Sequence, residues 1–233
     1  GNISATYGSY NTKHFYTSLG DSFKNFAYLV EYNNRNSDGF MDIDYSAKET
    51  GFDANDYVAK FRLNTDFDAK VYQSLTMKLQ YSEDASNETY LGLTDTDYKT
   101  NPYRRYLGSN EDNLLTDHFQ LMATHFIRPS QNLTFTTKGY RNTFARNWYK
   151  LDEVNLGTGS VSIANVTADP IKYAAEYAAL TGNTNTIANA LLVKANNRNY
   201  ESQGVQTVGN LNFNTGTVKH DVEFGVRYHE DYE

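Results

Sequence analysis

Cysteine is absent from the 233-residue chain, which excludes a disulfide framework and a thiolate metal site. No apolar run reaches the ~18 residues that a membrane-crossing helix needs. Proline occurs only 3 times, so few positions forbid strand pairing. An excess of basic charge is also missing. The net charge is -7, which argues against a general nucleic-acid partner, because such a partner selects a basic surface. No secretory leader is visible, and strand-like sequence starts at Gly1, as expected of an internal piece of a longer protein. Neither a nucleophile elbow, a Walker loop nor a dinucleotide fingerprint occurs, and no enzyme is expected.

Aromatic residues are abundant, with 20 tyrosines and 13 phenylalanines. The mean hydropathy is nevertheless -0.68. A soluble β-rich domain would have such a composition. So would a membrane β-barrel, in which only alternate residues face lipid and aromatics form interfacial girdles.

The segment VKHDVEFGVRY is the clearest strand. Val222, Phe224, Val226 and Tyr228 point one way; Asp221, Glu223, Gly225 and Arg227 point the other. Alternation with period two follows from successive Cβ atoms projecting to opposite faces. Leu75, Met77, Leu79 and Tyr81 repeat it against Ser74, Thr76, Lys78, Gln80 and Ser82. Tyr57, Ala59, Phe61 and Leu63 repeat it against Lys60, Arg62 and Asn64. Fainter strands are expected over 1–9, 14–20, 25–32, 116–127, 133–144 and 202–213, nine in all.

The connections say more than the strands. Tight turns are expected at 21–24, 65–70, 128–132 and 214–217, and long excursions at 33–55, 83–113 and 148–200. In an antiparallel meander all the long connections then fall at one end. Transmembrane barrels have this asymmetry, with short periplasmic turns and long extracellular loops. Within the longest excursion, DPIKYAAEYAALTG reads as a helix with Asp169 as N-cap, Pro170 in the first turn and Gly182 as the stop. Residues 187–195 are a second helix candidate. Barrels of this kind have an even strand count and no free edges, so nine strands imply part of a larger barrel. The expected class is all-β: an antiparallel transmembrane barrel fragment with long loops, one of them partly helical.

Several stretches in order resemble a known family. ETYLGLTDTDYKTNPYRRY, followed by DHFQLMATHFIRPSQNLTFTTKGYRNTFARNWYKLDEV, resembles the barrel of TonB-dependent outer-membrane receptors, above all the ferric citrate branch. GNISATYGSYNTK resembles that family's first barrel strand, NSDGF the start of its second long loop, and GVRYHEDYE a later strand. The resemblance implies a 22-stranded barrel with a plug domain, of which residues 1–233 are a partial barrel domain. It implies a Gram-negative outer-membrane location among lipid, and uptake of a ferric siderophore or ferric citrate driven by an inner-membrane energy-coupling complex. The chelate is cargo, and no resident cofactor is implied.

Such chelates are anionic, and a guanidinium offers carboxylates a planar fork of donors. Arg104 and Arg105 lie in a long loop and Arg146 near the loop end of a strand; the resemblance carries a ligand-binding role to all three. The alternative is loop pairing with Asp95, Asp97 or Glu111. Arg141 is a weaker candidate. Tyr103 and Tyr106, with Tyr90 and Tyr98, are candidates to line the ligand vestibule, and Trp148 and Tyr149 fit an interfacial belt. The histidines 14, 118, 125, 220 and 229 lack metal-ligand spacing. The Asp42/Asp44 and Asp95/Asp97 pairs lack the remaining features of a calcium loop and read as solvated charge. Rival ligands are a glycan or a corrinoid on the same architecture. The rival class is a soluble β-rich binding or adhesion domain.

Overall fold

The computed structural model describes residues 1–89 and 91–233; the Tyr90 vestibule assignment falls outside the described residues. The strands are β1 (Asn2–Tyr7), β2 (Lys13–Ser22), β3 (Phe26–Ser37), β4 (Asp42–Ile43), β5 (Phe52–Asn64), β6 (Tyr72–Ser86), β7 (Arg104–Arg105), β8 (Asn113–Ser130), β9 (Leu133–Asn155), β10 (Ser160–Ser162), β11 (Leu191–Thr215) and β12 (Val218–Tyr232). Helices α1 (Asp95–Thr100), α2 (Ile163–Ala168) and α3 (Ala174–Thr181) lie in the connections.

Nine strands form one antiparallel sheet in sequence order, β1-β2-β3-β5-β6-β8-β9-β11-β12, with β10 added on β9. These are the nine expected strands. Among the described residues no helix is long and apolar enough to cross a membrane.

Register carries the period-two pattern from strand to strand, because directly opposed residues share a face. On one face Tyr32, Tyr57, Tyr81 and Phe119 stand in a row across β3, β5, β6 and β8, with the Tyr32 and Tyr57 rings stacked at 5.0 Å. One step along, the row is Val30, Ala59, Leu79 and Leu121. The other face is polar. There Lys78 Nζ donates to Gln120 (2.7 Å), Gln120 Nε2 to Asn142 (2.8 Å) and Asn142 Nδ2 to Ser202 (3.2 Å), a rail across four strands. The apolar face is uncovered within the chain; Val226 is 73% exposed.

Burial occurs at one end instead. Leu91, Tyr106, Leu151, Val154, Ile163, Val166, Ala179 and Leu180 form the hydrophobic core, drawn from the long connections and the tip of β9. A single sheet with one polar face and one uncovered apolar face holds no core, so the excursions pack on one another.

The structure moves several expected boundaries. β9 and β11 do not stop at residue 144 or start at 202. They run to Asn155 and from Leu191, and pair with each other throughout. Alternation fades there because Asn196, Asn197, Arg198 and Asn199 put polar groups on both faces. The expected helix at 187–195 is therefore largely strand: residues from Leu191 onward pair with β9. The expected 169–182 helix starts later, at Ala174. Asp169 does accept from a backbone amide, Lys172 N at 3.0 Å, but this closes a turn containing Pro170, and Asp169 is also the C-cap of α2. Gly182 ends α3 as expected, with φ 76°.

At Gly182 a side chain would have to occupy the left-handed region, and a Cβ would lie 2.6 Å from Leu107 Cδ2. Gly182→Ala should therefore destabilise the loop core by about 1–2 kcal/mol. The expected outcome is faster amide hydrogen exchange in α3 with unchanged protection in β6 and β8; equal protection in α3 would contradict it.

Candidate functional site

The two adjacent arginines that the sequence singles out form β7, which pairs in parallel with β4, Asp42 opposite Arg104 and Ile43 opposite Arg105. The ladder is closed by Asp42 N donating to Tyr103 O (3.0 Å) and Asp44 N to Arg105 O (2.9 Å). Two long connections, 38–51 and 87–112, are thus zipped together. The third joins through Tyr45 Oη, which donates to Asn183 (3.2 Å).

Neighbours in sequence, the two guanidiniums have opposite surroundings. Arg104 Nε donates to Asp44 and Nη1 to Asp97, each at 2.8 Å, and the guanidinium lies over the Tyr106 ring at 5.2 Å. Asp97 also accepts from Tyr106 Oη (2.6 Å), Thr94 Oγ1 (2.9 Å) and Tyr177 Oη. Burial alone would raise the Asp97 pKa. The hydrogen bonds from Tyr106, Tyr177 and Thr94 and the Arg104 charge outweigh it and hold the carboxyl below its ordinary value. For Arg104 burial acts downward, yet Asp44 and Asp97 raise its pKa. Asp44 and Asp97 are therefore not solvated charge, as their spacing suggested; they are the counterions of Arg104. Thr94 caps α1, accepting from Asp97 N.

Arg105 has no carboxylate partner among the described residues. Its Nη1 donates to the Arg104 carbonyl (2.8 Å), its Nε is buried without a partner, and burial lowers its pKa. The side chain lines a cavity of about 300 Å³ with Met41, Ile43, Thr50, Thr89, Ser109 and Glu88.

Tyr103 is half exposed, its ring edge-on to Phe40 at 6.2 Å. Tyr106 is 1% exposed and belongs to the loop core, so it supports the loop from within and does not form a vestibule surface in this conformation. Burial pushes its phenol above the ordinary range. Tyr98 is exposed on α1.

Arg146 lies apart from this loop, well inside β9. In register it stands with Thr116 of β8 and Arg198 of β11 on the polar face. Its Nε is buried and unpartnered. Arg198 was not identified from the sequence, which placed it in a loop; extending the strand pairing past Tyr200 would have found it. Arg141 is on the other face, opposite Leu121, and is held by Glu201 through two hydrogen bonds of 3.0 and 2.8 Å. Trp148 and Tyr149 lie in β9 as well, with the Lys150 ammonium 4.8 Å from the Trp148 ring centre. Among the described residues no metal-holding group of three His, Asp or Glu side chains forms.

No family model and no curated protein matches the sequence. Solved structures do match in fold. The chain is similar to the ferric citrate transporter FecA in its unliganded form, with TM-score 0.63 and 14% identity over 98% of this chain and 28% of that one. It is similar to the ferric-catecholate import receptor Fiu from E. coli K12 in its closed form, with TM-score 0.61 and 10% identity over 98% and 31%. It is also similar to the siderophore receptor PiuA from Acinetobacter baumannii, with TM-score 0.62 and 11% identity over 97% and 29%. The chain thus spans less than a third of the length of these three structures. The nine-strand sheet has the fold of part of a receptor β-barrel.

Because the Asp97 pKa is depressed, its contribution to loop stability is full above the ordinary carboxyl value of 3.8 and is lost as pH falls through the folded value. Asp97→Asn should cost roughly 2 kcal/mol, as expected for hydrogen bonds to a charged group. Hydrogen exchange of 94–106 should accelerate in this variant, and it should lose the wild-type rise in opening on acidification. An acid response identical to wild type would remove Asp97 from this role.

Proposed function

We propose that the chain is part of an outer-membrane receptor that takes up an anionic ferric chelate, of the citrate type or another siderophore, by energy-coupled transport. In this reading residues 1–233 form part of a 22-stranded barrel of a Gram-negative bacterium. The apolar face meets lipid and the polar face lines the lumen. A plug domain and the contact with the inner-membrane energy-coupling complex belong to other parts of the receptor. The protein carries out no chemistry on its cargo, and the iron needs no protein cofactor. A ferric citrate transporter, a ferric-catecholate import receptor and a siderophore receptor of similar fold support the reading.

The observation that carries it is the division among the arginines. Arg104 has two carboxylates and no spare charge. Arg105 and Arg146 are guanidiniums with buried, unpartnered Nε atoms and no ion pair among the described residues. A buried donor without a partner is costly, and a carboxylate or hydroxamate oxygen of a chelate would satisfy it. Tyr103, in the same connection as Arg105, is exposed, whereas Tyr106 supports that connection from inside. Phe40 stands between Tyr10 and Tyr103, with ring centres 6.0 and 6.2 Å away. This exposed aromatic trio favours a second reading, a neutral glycan as cargo.

Ferric dicitrate titrated into the full-length receptor in detergent, followed by intrinsic fluorescence, separates the two. Arg105→Ala with Arg146→Ala should lower affinity at least tenfold, since truncating a desolvated charge contact costs about 2–5 kcal/mol. A wild type that ignores ferric dicitrate but binds a neutral oligosaccharide, with no dependence on salt or on either substitution, would favour the glycan. The lipid assignment has its own test. Leu79→Lys should lower unfolding stability in vesicles by up to roughly 2–4 kcal/mol, while Gln80→Lys on the opposite face should have little effect. Equal effects would place both faces in water.

A further inference from the structure

Resting on the anionic-chelate reading, we infer that Arg198 joins Arg146 in a two-guanidinium clamp above an aromatic floor, and that the cargo is a ferric chelate carrying an aromatic ring. The strand extension that the sequence hides creates the site. β9 and β11 stay paired past Tyr200, which brings Arg146 and Arg198 directly opposite each other on the polar face. Like charges in that position destabilise a sheet. Glu233 neutralises one of them in part: Arg198 donates to Glu233, to Asn196 Oδ1 (3.0 Å) and, at 3.5 Å, to Tyr200 Oη. Arg146 has no carboxylate among the described residues, and its Nε is unpartnered. An anion between the two guanidiniums would remove both penalties, and two planar forks suit a carboxylate or a deprotonated diol.

Two residues down each strand, on the same face, Phe144 stands opposite Tyr200. Their rings stack at 6.1 Å with an interplanar angle of 28°. His118, opposite Phe144 on β8, meets it edge-on at 6.3 Å. Two residues of strand advance about 7 Å, so the clamp and the floor are one aromatic ring apart. A catecholate or hydroxybenzoate arm would place its charged oxygens between the guanidiniums and its ring against Phe144 and Tyr200, where offset or edge-on packing adds to the burial. An aliphatic chelate would use the guanidiniums alone.

The test titrates ferric tris-catecholate and ferric dicitrate into the full-length receptor in detergent. Wild type should bind the aromatic chelate at least tenfold more tightly. Arg198→Gln should weaken both chelates at least tenfold, and Arg198→Lys, which keeps the charge, should recover part of the loss. Tyr200→Leu should weaken the catecholate only. If Arg146→Ala loses binding and Arg198→Gln does not, the clamp is wrong while the receptor reading stands. If Tyr200→Leu affects both chelates equally, or dicitrate binds more tightly, the aromatic floor is wrong. If wild type binds neither chelate, the receptor reading fails and the clamp with it.

Discussion

Asp97 is the point at which the loop end of the molecule is tied together. It accepts from Thr94 and Tyr106 of its own connection, from Tyr177 in α3, and from Arg104. Arg104 in turn reaches Asp44 in the connection before. Three excursions separated by long stretches of sheet thus share one carboxylate–guanidinium centre. That centre sits against the core of Leu91, Tyr106, Leu151 and Leu180, so its charges are partly screened from water and its hydrogen bonds are correspondingly firm. Asp112 is a second, smaller tie. Its carboxylate is buried and accepts from Thr89 and from Leu151 N, joining the 87–112 connection to β9. Burial raises its pKa, the opposite sense to Asp97. Of these two carboxylates, Asp112 is the more deeply buried, and only Asp97 has a guanidinium donating to it.

The same centre explains why adjacent arginines differ in role. In a strand, neighbours in sequence project to opposite sides. The short β4–β7 ladder aims Arg104 at the acidic side chains and Arg105 into the cavity. One arginine holds the loop together; the other spends one donor on the Arg104 carbonyl and leaves its Nε without a partner. No inspection of the RR pair alone could separate them, because the distinction depends on Asp44, which is 60 residues away.

The sheet was largely legible from its own pattern. Strands with clean alternation, β5, β6 and β12, were found, each read four residues short of one end, and the alternation of tight turns with long excursions was correct. What failed was the upper part of β9 and β11, where Asn196 to Asn199 and Arg146 to Trp148 carry no period-two signal. Pairing there is maintained by the partner strand, which a linear pattern does not record. The short helices α1 and α2 were missed because each is a single capped turn, with Thr94 and Ser162 as the caps. At the site, charge and aromatic type marked the right loop. Asp97 was among the pairing partners weighed for the arginines and does pair with Arg104; the Asp44 counterion, the burial of Tyr106 and the opposition of Arg146 to Arg198 were invisible without register.

Placing the core in the excursions has a kinetic consequence. The contacts that close it span 60 residues for Asp44–Arg104, 80 for Asp97–Tyr177 and 138 for Tyr45–Asn183. The hairpins of the sheet are local by comparison, joined by turns such as 131–132 and 216–217. Closing such distances in a free chain carries an entropy cost that grows with loop length. Strand pairing shortens them by bringing the loop ends together first. Assembly therefore runs from the tight-turn end toward the excursions, and the arginine-bearing surface is completed last, after the wall that supports it is in place.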